Sequence, residues 1–101
     1  PSFAPVLDQL AQTLTQNPEV IAQVVGYTDS TGSPDYNQTL SVNRAQSVTG
    51  YLGQRGINPQ RLSAQGMGQN NPVADNNTEA GRAANRRVEI YLRATAQHAG
   101  G

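Results

Sequence analysis

Apolar residues recur at spacings of three and four at the start of the chain: Phe3, Val6, Leu7, Leu10, Ala11 and Leu14. That spacing lays a stripe along one side of a helix. Ser2 is placed to cap it, and Pro5 falls in its first turn, where a missing N–H costs little. Asn17-Pro18 ends it at about Gln16, because a residue before proline avoids the helical region. The period then changes. Val20, Ile21, Ala22, Val24 and Val25 form a β-branched run of strand length that stops at Gly26. Its near-continuous apolar character predicts a central strand. Turn residues follow from Thr28 to Tyr36, and Ser33 or Asp35 can cap a second helix to about Arg55. That helix carries Leu40, Val48, Tyr51 and Leu52 as its apolar positions, with Ala45 beside them. Gly56 fits the position just past its end.

Arg61–Gly68 alternates, with Leu62, Ala64 and Gly66 set against Ser63, Gln65 and Met67. It reads as a strand that two glycines weaken and bend. Gln69 to Thr78 is a polar loop. Thr78 or Asn77 can cap a short helical turn to Asn85. Arg86–Arg93 is the last strand, with Val88, Ile90 and Leu92 on one side and Arg86 on that same side by the period of two. The expected order is helix, strand, helix, strand, short helix, strand: an α+β fold, two layers, helices packed on one face of a small sheet. Residues 1–94 form one domain. Residues 95–101 carry no pattern and read as a flexible tail.

The charge balance narrows the function. In 101 residues there are 7 basic and 7 acidic side chains, so the formal net charge is zero. Nucleic-acid binders carry a basic excess, and acidic membranes attract one; neither applies here. All the basic residues are arginine, which suits two-pronged carboxylate recognition. Cysteine is absent, so disulfides and thiolate chemistry are excluded. The sequence has no apolar run of membrane-spanning length and no signal peptide, so any membrane anchor is expected outside this chain, which reads as an excised domain.

Candidate chemistry centres on Asp29, directly after the central strand, and Arg44, between Leu40 and Val48 on the second helix. A guanidinium on an apolar stripe needs an anion or several carbonyls. Two readings stay open. Asp29 can close a turn through Thr31 or Gly32 and pair with Arg44 as a structural bridge, or the two can receive the ammonium and carboxylate of a small zwitterion. Arg86 is a second carboxylate binder or a bridge to a loop carbonyl. Asn37 shares the mouth of the same pocket or caps its helix. Arg82, Arg87 and Arg93 are expected to face solvent. His98, the single histidine, lies in the tail, so histidine-based triads are excluded. Metal spacing, a close carboxylate pair and a phosphate loop at Gly66–Gly68 are likewise not found in the sequence. An enzyme is not expected.

The residues GYTDSTG, NQTLSVNRAQSV and GINPQRLSAQGMGQNNPVADNNTEAGRAANRRVEI resemble, in order and spacing, the OmpA-like C-terminal domain. The resemblance covers about Phe3 to Leu92. It implies a βαβαβ-type fold and non-covalent binding of peptidoglycan through the diaminopimelate of its stem peptide, on the periplasmic side of a Gram-negative outer membrane. By that resemblance Asp29 and Arg44 hold the ligand's ammonium and carboxylate, with Thr28, Asn37 and Arg86 completing the shell. The family's domain normally opens on a strand before the first helix, and this chain opens at that helix, so the first strand of the pattern is expected to be absent here. The alternative is a periplasmic protein–protein interaction module of the same fold without wall binding. No cofactor is implied.

Overall fold

The computed structural model describes residues 4–95. At its centre runs β1, Val20–Gly26, flanked by β2, Leu62–Gly66, and β3, Val88–Ala94, in the order β2-β1-β3. β1 pairs parallel with β2, with Ala22 opposite Leu62 and Gly26 opposite Gly66. It pairs antiparallel with β3, with Ala22 opposite Leu92 and Gly26 opposite Val88. A parallel neighbour requires a crossover, which α2, Pro34–Gln54, supplies. Among the described residues no strand pairs with the far edge of β3, and Leu92 near its end remains 46% exposed.

α1, Ala4–Gln16, lies beside α2 over the sheet. The core forms where they meet it: Ala11, Leu14, Ala22, Leu52 and Ile57 are buried together, with Leu10, Val20, Val48, Leu62 and Ile90 packed around them. Leu14 and Leu52 are fully buried, and each such burial contributes about 2 kcal/mol. Asp8 ties the helices together at the surface. It accepts from Tyr51 Oη at 2.6 Å and pairs with Arg55 Nε at 2.9 Å.

The order of helices and strands and the alternation in β2 agree with expectation, with a 3-10 turn, Pro59–Arg61, added before β2. β3 does not alternate: Val88, Glu89 and Ile90 are half-buried and Tyr91 to Ala94 are exposed, because its far end runs past the helices that cover the sheet. Ser33 caps α2 by accepting from the Tyr36 amide, Thr78 caps α3, Glu79–Asn85, by accepting from Gly81, and Gly56 has a φ of +97°. The expected cap Ser2 lies outside the described residues. The last strand starts later than expected, at Val88, because Arg86 is the C-cap of α3. Thr95, placed in the expected tail, is tied down: its amide and its Oγ1 each reach the Glu19 carbonyl at 2.8 Å. Residues 96–101 lie outside the described residues.

The buried face of α2 corrects the expected stripe. Asn37, Ser41, Ala45 and Leu52 are the buried positions, whereas Leu40, Arg44, Val48 and Tyr51 are only half-buried. The reason is close approach. A Cβ on Gly26 would run into the Ser41 carbonyl oxygen, and one on Gly66 would meet Ser41 Oγ and the Val42 amide. Helix and sheet touch backbone to backbone here, so the contact line takes small residues and not large apolar ones.

Candidate functional site

The chain leaves β1 through Tyr27, Thr28 and Asp29, all buried. β1 is continued by loop pairing: the Tyr27 amide donates to the Arg87 carbonyl at 2.8 Å and the Thr28 amide to the Gly68 carbonyl at 2.7 Å. Asp29 then closes a turn. Its Oδ1 accepts from the Thr31 amide at 2.8 Å, the Asx bond expected for this position. Its Oδ2 accepts from Arg86 Nη1 at 2.6 Å, and its side chain is 10% exposed. The Thr31 amide, and then Arg86, hold the Asp29 carboxyl below its ordinary range, against the opposing effect of burial.

The expected Asp29–Arg44 bridge is therefore not formed. Asp29 belongs to Arg86, and Arg44 Nη1 donates to the Tyr27 carbonyl at 3.2 Å. The cause lies in α3. It ends at Asn85, and its C-cap Arg86 is delivered to Asp29 at the end of β1, while Arg44 is taken up by the Tyr27 carbonyl. Arg86 is shared. Its Nη2 reaches Glu79 Oε2 at 3.2 Å, and Glu79 Oε1 in turn accepts from Arg82 at 3.1 Å. Both acids keep the Arg86 guanidinium firmly charged, Asp29 more than Glu79.

Thr28 and Asn37 turn inward. Thr28 Oγ1 donates to the Asp29 carbonyl at 2.8 Å. The Asn37 amide, 2% exposed, shares its protons among the carbonyls of Asp29 and Thr31 and Gln69 Oε1. Both side chains fix the loop that presents Asp29.

A groove of about 490 Å³ opens beside this loop, lined by Leu7, Ser47, Val48, Tyr51 and Val88 with Arg44, Arg86 and Arg87 at its margin. It has an apolar floor and a cationic rim. Asp29 does not line it; it lies behind Arg86. Among the described residues no cluster of three metal-ligating side chains exists.

The sequence reading missed several contributors. Arg87, expected in solvent, is 17% exposed in its side chain and lies flat over the Tyr27 ring at 3.7 Å. It also pairs with Glu89 at 2.6 Å and donates to the Asn71 carbonyl. Arg82, likewise expected outside, is half-buried and donates to the Asn76 carbonyl at 3.0 Å; Arg93 is exposed as expected. Asn85 is fully buried and holds the loop after Pro72 through the amides of Val73 and Ala74. No periodicity marks these residues, since Arg82 and Asn85 act through loop backbone and Arg87 through the Tyr27 ring, Glu89 and a loop carbonyl.

Residues 1–86 match the sequence model of the OmpA family. The chain belongs to the OmpA family. Over 92 residues it is 46% identical to the probable lipoprotein YiaD of Escherichia coli, covering 91% of this chain and 42% of that protein. Over 92 residues it is 42% identical to the peptidoglycan-binding protein ArfA of Mycobacterium tuberculosis, covering 91% of this chain and 28% of that one. The chain thus spans less than half the length of these curated relatives. Among solved structures, the peptidoglycan-associated lipoprotein of Burkholderia pseudomallei superposes with a TM-score of 0.87 at 32% identity, over 90% of this chain and 77% of that one. The cell wall anchor of the Pseudomonas aeruginosa type VI secretion system gives 0.78 at 35% identity, over 92% and 66%. The α+β architecture is that of these OmpA-family structures.

Proposed function

We propose that this OmpA-family domain binds peptidoglycan non-covalently through the diaminopimelate of the stem peptide. On this reading it faces the periplasm of a Gram-negative cell and ties the outer membrane, or an envelope protein, to the wall. The observation that carries the reading is the juxtaposition at the end of β1: a nearly buried carboxylate, Asp29, beside two guanidiniums, Arg86 and Arg44, that border one groove. Diaminopimelate presents an ammonium and a carboxylate. Asp29 pairs with the ammonium, and Arg44 grips the carboxylate through a two-pronged contact. Arg86 stands between them, and Thr28 and Asn37 hold the loop to shape. Relatives named for peptidoglycan and for the cell wall support the ligand class. Porins, lipoproteins and wall anchors among the relatives support a binding role and not a catalytic one.

The test is retention on purified cell wall. Wall with diaminopimelate should retain the domain, and wall carrying lysine in its place should not. Asp29→Ala and Arg44→Ala should each reduce retention at least tenfold, the loss of one charge-assisted contact. Equal retention on both walls, or undiminished binding by both variants, defeats the reading. One observation favours the alternative, a protein–protein interaction module: Asp29 is closed by Arg86. A crystal grown with diaminopimelate whose site stays empty and closed would decide for it.

A further inference from the structure

Arg86 touches two acids at once, and the two differ sharply. Asp29 is nearly buried, with 10% of its side chain exposed, and Arg86 lies 2.6 Å from it. Glu79 is 72% exposed, 3.2 Å from the other terminal nitrogen, on the first turn of α3. Resting on the diaminopimelate reading, we infer that Glu79 is a positioning residue: it is the alternate partner that takes Arg86 when the ligand's ammonium claims Asp29.

The physical argument is one of charge. An ammonium that pairs with Asp29 brings a second cation against the carboxylate that Arg86 already holds. Two like charges on one nearly buried carboxylate repel, with little water to screen them. The repulsion weakens Arg86's hold on Asp29, and its guanidinium, 35% exposed, turns to the nearest other anion. Glu79 already touches it, so the exchange needs a swing of one side chain and no backbone motion. The groove opens on Arg86 and Arg44 but not on Asp29, so an entering zwitterion meets the two arginines first. Its carboxylate docks on Arg44, and Arg86 then moves toward Glu79 and uncovers Asp29. Arg82 holds the Glu79 carboxylate from its other side and keeps it near α3.

Glu79→Gln removes the alternate anion and leaves the fold intact, because Glu79 is a surface side chain. Binding of free diaminopimelate, measured by calorimetry, should weaken about threefold, the scale of an exposed charge pair. In an Arg86→Gln background the same change should have no effect, since it acts only through Arg86. In a crystal of the complex, Arg86 should sit on Glu79 and no longer on Asp29. Unchanged or tighter binding by Glu79→Gln, or a complex in which Arg86 stays on Asp29, overturns the inference while leaving the binding site standing. A wild-type domain that binds no diaminopimelate overturns the site and the exchange together.

Discussion

At the scale of single residues, Asp29 serves the fold and the proposed site with the same carboxylate. The Thr31 amide and Arg86 both favour its charged form, so its folded pKa lies below the ordinary 3.8. The unfolded chain therefore takes up the proton first as the pH drops. The stability that Asp29 supplies is complete above its ordinary pKa and is lost as the pH falls through the lower folded value. Asp29→Asn should cost about 2 kcal/mol at neutral pH, the range of a hydrogen bond to a charged group. Urea denaturation of the two proteins as the pH is lowered should show their stabilities converging below the ordinary carboxylate pKa. A difference that stays constant to strongly acid pH would show that the charge plays no part. The turn role of Asp29 was legible in the sequence because an Asx bond is local. Its partner was not. Arg44, Arg82, Arg86 and Arg87 are chemically identical, and Arg86 arrives from 57 residues away through the geometry of a short helix. Pattern analysis can show that an anion needs a cation, but not which one the backbone delivers.

At the scale of elements, the seam between α2 and the sheet governs where Arg44 stands. Gly26 and Gly66 admit Ser41 and Val42 to backbone contact, so Arg44 is carried on the flank, where it reaches the Tyr27 carbonyl. Gly26→Ala should destabilise the domain by about 3 kcal/mol, the upper range for overpacking. Shortening Ser41 to glycine should not rescue it, because the atom met is a main-chain oxygen. Chemical unfolding of the single and double variants checks both statements; full recovery in the double variant would place the clash in the side chain. The elements themselves were legible, since periodicity, Asn17-Pro18, Ser33 and Gly56 are strong local signals. The buried face of α2 was not. A hydrophobic pattern scores Leu40 and Val48 as core, sets Ala45 only beside them, and passes over Asn37 and Ser41, whose value is smallness or hydrogen bonding. Arg61 was missed for a related reason. Its guanidinium binds the carbonyls of Leu14, Asn17 and Val20, closing the end of α1 from the 3-10 turn Pro59–Arg61.

For the whole molecule, the zero net charge sets how the domain would meet the wall. With no single-sign field to steer it, encounter is diffusive and recognition waits for short-range contact. The association rate with soluble wall fragments should change little between low and physiological salt, while the dissociation rate should rise modestly as the contact proposed at half-buried Arg44 is screened and that at Asp29 is largely spared. Surface-captured domain in a flow measurement separates the two rates. A steep fall in the association rate would reveal a charged approach surface that the composition does not suggest.

The proposed site hangs from the end of β1, and β1 is held on both sides. Its bonds to β2 and to β3 run across the strand. A ligand seated against Asp29 and pulled along the strand axis would load both ladders at once, in shear, and not peel them open rung by rung. Mechanical resistance would then be greatest along the direction in which Asp29 leaves the sheet, and lower for a pull at right angles to it. The fold would grip hardest when strained lengthwise, as a rope is stronger along its lay than across it.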